Sequence, residues 1–343
     1  MNRIPLLIIT FFITATLIFT GYVVWSQFSS ETKLRSPQPS GLVMRIPTYY
    51  WPGSYWIEIA DRKGWFEEAG LIVELIDANP DYYASLEDTV TGKLDVNNFY
   101  LFDLMRYRAE GVDLVVVLSQ DATFGMDAVV ATHDIQNVAD LRGKTIGVPL
   151  GTAYEYELDV VLERNGITHT EVTEVDVPGE KAVEEFVKGT VDAVVTWEPE
   201  ASAAIEQGNG KKIFDSSEIP GISPSVTGFL RSFVENRPGD VEAYVKVWNK
   251  TTKFIKENPD EAFRIIAEIY DESPDEVAGF ANLDRILDLQ DNRTIFAYAN
   301  SFVSVHGAAR KISDFLVKRG LSEKNLDSTE FIDMRFIRML QRQ

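Results

Sequence analysis

The sequence predicts an α/β protein in which two similar units of strands and helices follow one another. Short apolar runs alternate with segments of helical spacing, and this pattern begins near residue 42 and again near residue 126. The residues after 230 are mainly helical in pattern. A chain of 343 residues with 45% hydrophobic content is long enough to bury two cores. The pattern therefore suggests two lobes with a cleft between them.

The first unit alternates strand and helix from its beginning. Strands are expected at 42–46, 71–76, 94–97 and 113–118, and helices at 56–69, 84–90 and 101–109. Gly70 and Gly92 directly follow two of the helices, where glycine commonly ends a helix. Residues 113–118 are almost all apolar, as in a strand covered on both faces. This rhythm predicts a mostly parallel sheet.

The second unit repeats the alternation and then gives way to helices. Strands are expected at 126–132, 141–148, 172–177, 191–195, 213–214 and 226–230, and helices at 154–165, 181–188, 241–258, 259–270 and 293–319. The late helices are expected to close over the first unit.

The N-terminus predicts export from the cytoplasm. Residues 4–25 are uncharged and follow Arg3, and a run of about 20 apolar residues matches the thickness of a bilayer core. A cleaved signal peptide usually has a shorter apolar region that ends in a small-x-small site. We therefore favour a membrane anchor over a cleaved signal in residues 1–30, with 31–41 as a linker. In either case the remainder lies on the extracytoplasmic side.

The composition excludes several functional classes. A formal net charge of −20 argues against binding to nucleic acid, because a protein that binds nucleic acid requires a basic face. The absence of cysteine excludes disulfides, thiol catalysis and thiolate metal sites. None of the 53 acidic residues stands out as a catalytic pair, and the three histidines lack metal-type spacing. We expect no catalytic residue, no metal site and no cofactor.

Candidate ligand contacts follow the strands, because ligands of open α/β sheets bind beyond the carboxyl ends of strands. The candidates are Trp51 and Tyr55 in the aromatic loop, Asn98, Gly151 and Thr152 at a helix start, and Trp197 and Glu198. Aromatic rings in these positions could stack on a small solute. Thr152 could donate to the ligand or only cap its helix, and Glu198 could only orient its loop.

Four segments, read together, resemble a known family of binding proteins. They are 51–53 (WPG), 64–71 (GWFEEAGL), 140–148 (DLRGKTIGV) and 189–199 (GTVDAVVTWEP). In order and spacing they look like the solute-binding proteins of ABC importers, of the nitrate/sulfonate/taurine and NMT-like (thiamine-pyrimidine) type. The resemblance covers about residues 42 to 320.

This resemblance implies a bilobed, type II periplasmic binding protein fold with two mixed β-sheets and a hinge of two crossovers. Lobe 1 would comprise 42–127 and 226–343, and lobe 2 would comprise 128–225. The ligand would lie between the lobes, and Asp127 would lie in a crossover, where family members place ligand contacts. A carboxylate there suits an amine, amidine or guanidinium and disfavours nitrate or a sulfonate. A helix cap or an ion pair is the alternative for Asp127.

The expected function is capture of a small polar, nitrogen-containing solute and delivery to an ABC permease and ATPase, by a monomer. A membrane-tethered sensor that passes its open or closed state to a signalling partner is the alternative. The eukaryotic thiamine-pyrimidine synthases that resemble this family use a cysteine-rich motif, and this chain has no cysteine. We therefore expect a binding protein and not an enzyme.

Overall fold

The computed structural model describes residues 37–340, and residues 39–340 belong to one compact unit. The expected membrane anchor at residues 4–25 lies outside the described residues. Within 37–340, no helix combines the length and the apolar character needed to cross a bilayer.

The unit contains eleven strands and fourteen α-helices within the described residues. The strands are β1 (Val43–Thr48), β2 (Ile72–Asp77), β3 (Asn97–Tyr100), β4 (Leu114–Thr123), β5 (Asp127–Ala131), β6 (Thr145–Val148), β7 (Thr173–Asp176), β8 (Ala193–Trp197), β9 (Lys211–Asp215), β10 (Pro224–Leu230) and β11 (Asp284–Ile286). The helices are α1 (Tyr55–Arg62), α2 (Trp65–Glu68), α3 (Tyr82–Val90), α4 (Leu101–Ala109), α5 (Ala153–Arg164), α6 (Ala182–Lys188), α7 (Glu200–Gly208), α8 (Arg231–Asn236), α9 (Pro238–Glu257), α10 (Pro259–Tyr270), α11 (Pro274–Ala281), α12 (Leu289–Ile295), α13 (Val305–Lys318) and α14 (Arg335–Leu340).

Two larger sheets define the two lobes. Lobe 1 contains a four-stranded sheet in the order β11-β4-β10-β3 and a parallel pair, β1-β2. Lobe 2 contains a five-stranded sheet in the order β7-β6-β8-β5-β9. In each lobe, one strand that arrives from the other lobe inserts between two strands and runs antiparallel to both: β10 in lobe 1 and β5 in lobe 2. The expectation of a mostly parallel sheet was therefore wrong, because local βαβ rhythm does not reveal these inserted strands.

Two crossovers connect the lobes, at residues 124–126 and 216–223. A serine hydroxyl joins them: the Gly125 N–H donates to Oγ of Ser216 at 2.9 Å, and the Asp127 N–H approaches the same oxygen at 3.4 Å. Ser216 is fully buried. The two crossovers therefore form one hydrogen-bonded hinge.

The lobes also meet through packed side chains. Phe102 on α4, Tyr156 on α5 and Phe315 on α13 form a triangle of rings with centroids 5.4–5.9 Å apart. Beside it, Arg319 donates to both carboxylate oxygens of Glu174 on β7, at 2.9 and 3.0 Å. Apolar and ionic contacts thus hold α13 against lobe 2.

Several predicted elements differ in the structure. The helix expected at 293–319 was wrong: α12 ends at Ile295, and α13 begins only at Val305, capped by the Ser304 hydroxyl. The helix expected at 56–69 divides at Gly64, which has a φ of 69°. Helix α11 and strand β11 were not predicted, and β11 proves important because it begins with Asp284.

Candidate ligand-binding site

Two predicted site residues from lobe 1, Trp51 and Asn98, lie around one carboxylate. Trp51 follows β1, Asn98 lies on β3, and Asp121 lies near the end of β4. Nε1 of Trp51 donates to Oδ2 of Asp121 at 3.2 Å, and Nδ2 of Asn98 donates to Oδ1 at 3.3 Å. Asp121 was not predicted, and it is the residue that brings Trp51 and Asn98 together.

Asp127 lies at the first position of β5, directly after the first crossover. Its antiparallel partner on β8 is Trp197, so the structure brings these two predicted residues side by side. Asp127 is 0% exposed, and within residues 37–340 neither carboxyl oxygen accepts a hydrogen bond of ordinary geometry, although the Thr123 hydroxyl and the Glu157 carboxyl group lie beside it. Burial, supported by the negative charge of Asp121, raises the pKa of Asp127 to about 7.

Two further carboxyl groups extend this arrangement. Glu157 on α5 accepts a hydrogen bond from the Ser223 hydroxyl in the second crossover. Asp284 on β11 is buried, and within residues 37–340 its carboxyl oxygens accept no hydrogen bond of ordinary geometry, although the Asp121 carboxyl group and the Gly53 N–H lie beside them. Burial raises the pKa of each of these two carboxyl groups well above the ordinary range. The negative charge of Asp127 raises the pKa of Glu157 further, and that of Asp121 raises the pKa of Asp284 further.

We refer to Asp121, Asp127, Glu157 and Asp284 as the carboxylate cluster. Burial also raises the pKa of Asp121. Four buried carboxyl groups that interact electrostatically in this way cannot all ionise at neutral pH without a neighbouring positive charge. Among the ion pairs of residues 37–340, none includes a cluster member, and this part of the chain contains no group of acidic or histidine side chains arranged to hold a metal ion.

A row of aromatic rings crosses the cleft beside the cluster. Trp51 contacts Tyr100 edge-on at 6.5 Å, and Tyr100 contacts Tyr154 at 5.9 Å across the lobe boundary. Tyr154 stacks on Trp197 at 4.8 Å between ring centroids. Gly179 leaves room for the Trp197 indole, since any side chain there would overlap it. Both lobes therefore contribute rings to this row, and a ligand role for Trp51 and Trp197 stays a prediction.

The remaining predicted contacts have partners within the protein. Tyr55 is fully buried in the lobe 1 core, where its ring lies 5.9 Å from that of Tyr50. The Gly151 N–H donates to Glu155 at 2.6 Å. The Thr152 hydroxyl donates to the carbonyl of Pro149 and accepts from the N–H of Tyr154, which makes it the N-cap of α5. The structure thus favours the capping role for Thr152, and a ligand role for Tyr55 and Gly151 stays a prediction.

Glu198 has a partner as well. Its Oε2 accepts from the Ser202 N–H at 3.0 Å, and its peptide bond to Pro199 is cis. This favours the interpretation that Glu198 orients its loop. The ligand role that the sequence analysis left open for Glu198 stays a prediction.

Sequence reasoning missed five residues of the site. They are Tyr100, Asp121, Tyr154, Glu157 and Asp284. Asp121 carried a usable signal, since an acidic residue continues the apolar run of β4. Tyr154 and Glu157 are three residues apart on α5 and share a helix face. Asp284 carried no signal, because β11 is short and its sequence does not alternate.

Comparisons with known proteins agree with this architecture. The family model described as NMT1/THI5 like matches residues 51–262. A protein named as an aliphatic sulfonates-binding protein in Bacillus subtilis (strain 168) is 27% identical over 82% of this chain and 83% of its own length. The formylaminopyrimidine-binding protein of Halalkalibacterium halodurans is 26% identical over 71% of this chain and 76% of its own length.

A solved structure shows the same fold. The crystal structure of the periplasmic aliphatic sulphonate binding protein SsuA from Escherichia coli superposes with a TM-score of 0.69 and 17% sequence identity. The match covers 85% of this chain and 92% of that protein. The fold is therefore the type II periplasmic binding protein fold, and the chain belongs to the NMT1/THI5-like family as an extracytoplasmic solute-binding protein of the type that serves ABC importers.

Proposed function

We propose that this protein captures a small, positively charged, nitrogen-containing solute between its lobes and delivers it to an ABC permease and its ATPase. Residues 4–25 would anchor it to the cytoplasmic membrane. The observation that carries the proposal is Asp127, a fully buried carboxyl group beside the hinge that has no ion-pair partner and accepts no hydrogen bond of ordinary geometry within the described residues. An ammonium, amidinium or guanidinium group is the kind of ligand group that supplies donors to such a carboxyl group.

The position of Asp127 also couples binding to closure. The residue belongs to lobe 2 through β5, and the crossover that precedes it comes from lobe 1. A cation held there would contact groups from both lobes and would stabilise the closed arrangement. Capture without covalent chemistry agrees with the two curated relatives described above, which are named as binding proteins.

The relatives bind different solutes, so their names do not fix the ligand. One is named for aliphatic sulfonates and the other for a formylaminopyrimidine. An anionic sulfonate would have to share the cleft with four acidic side chains, which is unfavourable unless all of them are protonated. A nitrogen base is therefore the better fit to this cleft.

A thermal-shift screen of the full chain, purified in detergent, tests this proposal. The panel would contain amines, guanidines, aminopyrimidines, alkanesulfonates and nitrate, at pH 6 and pH 8. A ligand at about a hundred times its Kd stabilises by about 2.7 kcal/mol, which corresponds to about 5 °C for a chain of this size. We expect shifts with nitrogen cations, larger at pH 8. Shifts only with anions, growing towards pH 6, would show that the cluster binds in its protonated form and would refute the proposal.

A further inference from the structure

The carboxylate cluster is organised as two pairs. Asp121 and Asp284 lie on the neighbouring antiparallel strands β4 and β11 of lobe 1, where Ile286 pairs with Asp121 and Asp284 with Thr123. Asp127 and Glu157 form the second pair, on β5 and α5 of lobe 2. Each lobe thus presents one pair of acidic side chains to the cleft.

The two pairs share a pattern of hydrogen bonding. One member of each has protein donors: Asp121 accepts from Trp51 and Asn98, and Glu157 accepts from Ser223. The other member of each, Asp284 and Asp127, is buried and accepts no hydrogen bond of ordinary geometry within the described residues. Each lies beside the other carboxyl group of its own pair.

One additional atom fits this pattern. Oδ1 of Asn98 is buried and lacks a partner, and it too is an acceptor. Both lobes therefore present buried acceptors that a ligand with hydrogen-bond donors at both ends would satisfy.

The charged groups around the cluster support the same conclusion. The ion pairs of residues 37–340 leave all four cluster members without a lysine or arginine partner. The titratable groups that contact the cluster from other elements are Tyr100 on β3 and Tyr154 on α5, and the same burial and negative surroundings keep both phenols neutral. Any positive charge that allows the cluster to ionise must therefore come from a bound molecule, because without one the raised pKa values keep these carboxyl groups protonated.

The aromatic row supplies an apolar middle between the two pairs. Tyr100 and Tyr154 meet across the lobe boundary, with their hydroxyl oxygens 3.3 Å apart. Trp51 stands on the lobe 1 side and already donates to Asp121. Aromatic faces and edges of this kind favour methylene or planar groups adjacent to a cation.

We infer that the ligand is a compact organic dication with a nitrogen cation at each end, one for the Asp121–Asp284 pair and one for the Asp127–Glu157 pair, joined by an apolar segment that lies along the aromatic row. Short α,ω-diamines and aminoalkylguanidines have this chemistry. The inference rests on the proposed function and makes it more specific. It also gives closure a physical cause, because each end of the ligand neutralises the acidic pair of one lobe.

Titration calorimetry of the full chain at pH 8 tests the inference with matched probes. These are diamines of three to six carbons, 4-aminobutylguanidine, n-alkylamines of the same lengths, and Ca²⁺ and Mg²⁺ alone. We expect at least one dication to bind about tenfold or more tightly than its matched monoamine, since a second charge-assisted group is added. Equal affinity for the two would overturn the inference and leave the proposed function standing. Binding of the metal ions but of no amine, or of no probe at all, would overturn both.

Substitutions in each pair provide the second measurement. Asp284→Asn and Asp127→Asn each remove one charge, so each is expected to weaken dication binding about tenfold while changing monoamine binding much less. Glu58→Gln is the matched control, because Glu58 is a buried carboxyl group that accepts from the Tyr270 hydroxyl, and burial raises its pKa to about 7. The inference would be overturned if the Glu58→Gln variant lost the preference for dications. It would also be overturned if both the Asp284→Asn and the Asp127→Asn variants kept that preference.

Discussion

Gly53 and Asp121 occupy adjoining space so closely that Gly53 has no room for a side chain. A Cβ on Gly53 would lie 2.8 Å from Cβ of Asp121 and nearer still to its carboxyl oxygen. Gly53 belongs to the short 3₁₀ helix Pro52–Ser54 that follows Trp51. The conformation of the aromatic loop and the position of the Asp121 carboxyl group are therefore set together.

We expect Gly53→Ala to abolish or strongly weaken ligand binding. The added methyl group would displace Asp121, which is buried and already hydrogen-bonded to Trp51, and overpacking of this kind costs about 1–3 kcal/mol. Calorimetry and thermal unfolding measure the two effects. Gly279→Ala is the control, because no atom lies within 4 Å of a Cβ at that position in α11. Tight binding by the Gly53→Ala variant would show that Asp121 is not a contact.

Asp127 is expected to destabilise the ligand-free protein above neutral pH. Its pKa is raised from 3.8 to about 7 in the folded state, so the folded chain binds more protons than the unfolded chain between those pH values. Stability therefore falls as pH rises from about 4 to 7, and the full penalty is present above 7. One pKa unit corresponds to about 1.4 kcal/mol, which makes about 4 kcal/mol the ceiling at pH 8.

Asp127→Asn should remove this penalty, and we expect the ligand-free variant to unfold several degrees higher than the parent at pH 8, with little difference near pH 4. Melting curves of both proteins across that range give the answer. The exposed loop residue Glu323 provides the control substitution Glu323→Gln, which should leave the curves unchanged. A variant less stable than the parent at pH 8 would mean that the Asp127 carboxylate is stabilised by the protein itself.

Much of the fold could be predicted because its elements have local signatures. Helix α4 matches the predicted 101–109, and α10 matches the predicted 259–270, since glycine or proline and an amphipathic pattern mark their limits. The positions of β5 and β10 in the sheets could not be predicted, because insertion between two strands depends on contacts distant in sequence.

The residues of the candidate site could likewise be predicted only where they have a local sequence signature. Trp197 was predicted because it stands at the end of an apolar strand, and Asp127 because the family resemblance places it in a crossover between the lobes. The structure pairs the two residues on β5 and β8. Thr152 also stood beyond the end of a strand, but a cap and a ligand contact have the same local sequence. Asp284 was missed because only the tertiary fold brings β11 against β4.

Ser216 is expected to set the position of Asp127. Its hydroxyl accepts from the N–H groups of Gly125 and, more weakly, Asp127, and Ser216→Ala would leave these buried donors without a partner. We expect a loss of about 1–3 kcal/mol in stability and weaker ligand binding. Unfolding curves and calorimetry of the variant measure both. Ser217→Ala is the neighbouring control, since that hydroxyl bonds only Asp215. Unchanged affinity would show that the hinge bond does not position Asp127.

Arg319 is expected to hold the two lobes together through buried ion pairs. Its side chain is 14% exposed, donates to both oxygens of Glu174 and lies 3.3 Å from Oε1 of Glu155. Arg319→Met would leave two buried carboxylates of lobe 2 without their cation, which typically costs about 3–5 kcal/mol.

The double variant Arg319→Met with Glu174→Met separates the ion pair from general packing. Replacing both partners of a buried pair by apolar side chains is often close to neutral, so we expect the double variant to regain part of the stability that Arg319→Met loses. Thermal unfolding of the parent, both single variants and the double variant gives the coupling energy between the two residues. Because this contact connects α13 with lobe 2, we also expect the Arg319→Met variant to bind ligand more weakly. Additive losses in the four proteins would show that the Arg319–Glu174 ion pair has no coupling energy, which would contradict this role for Arg319.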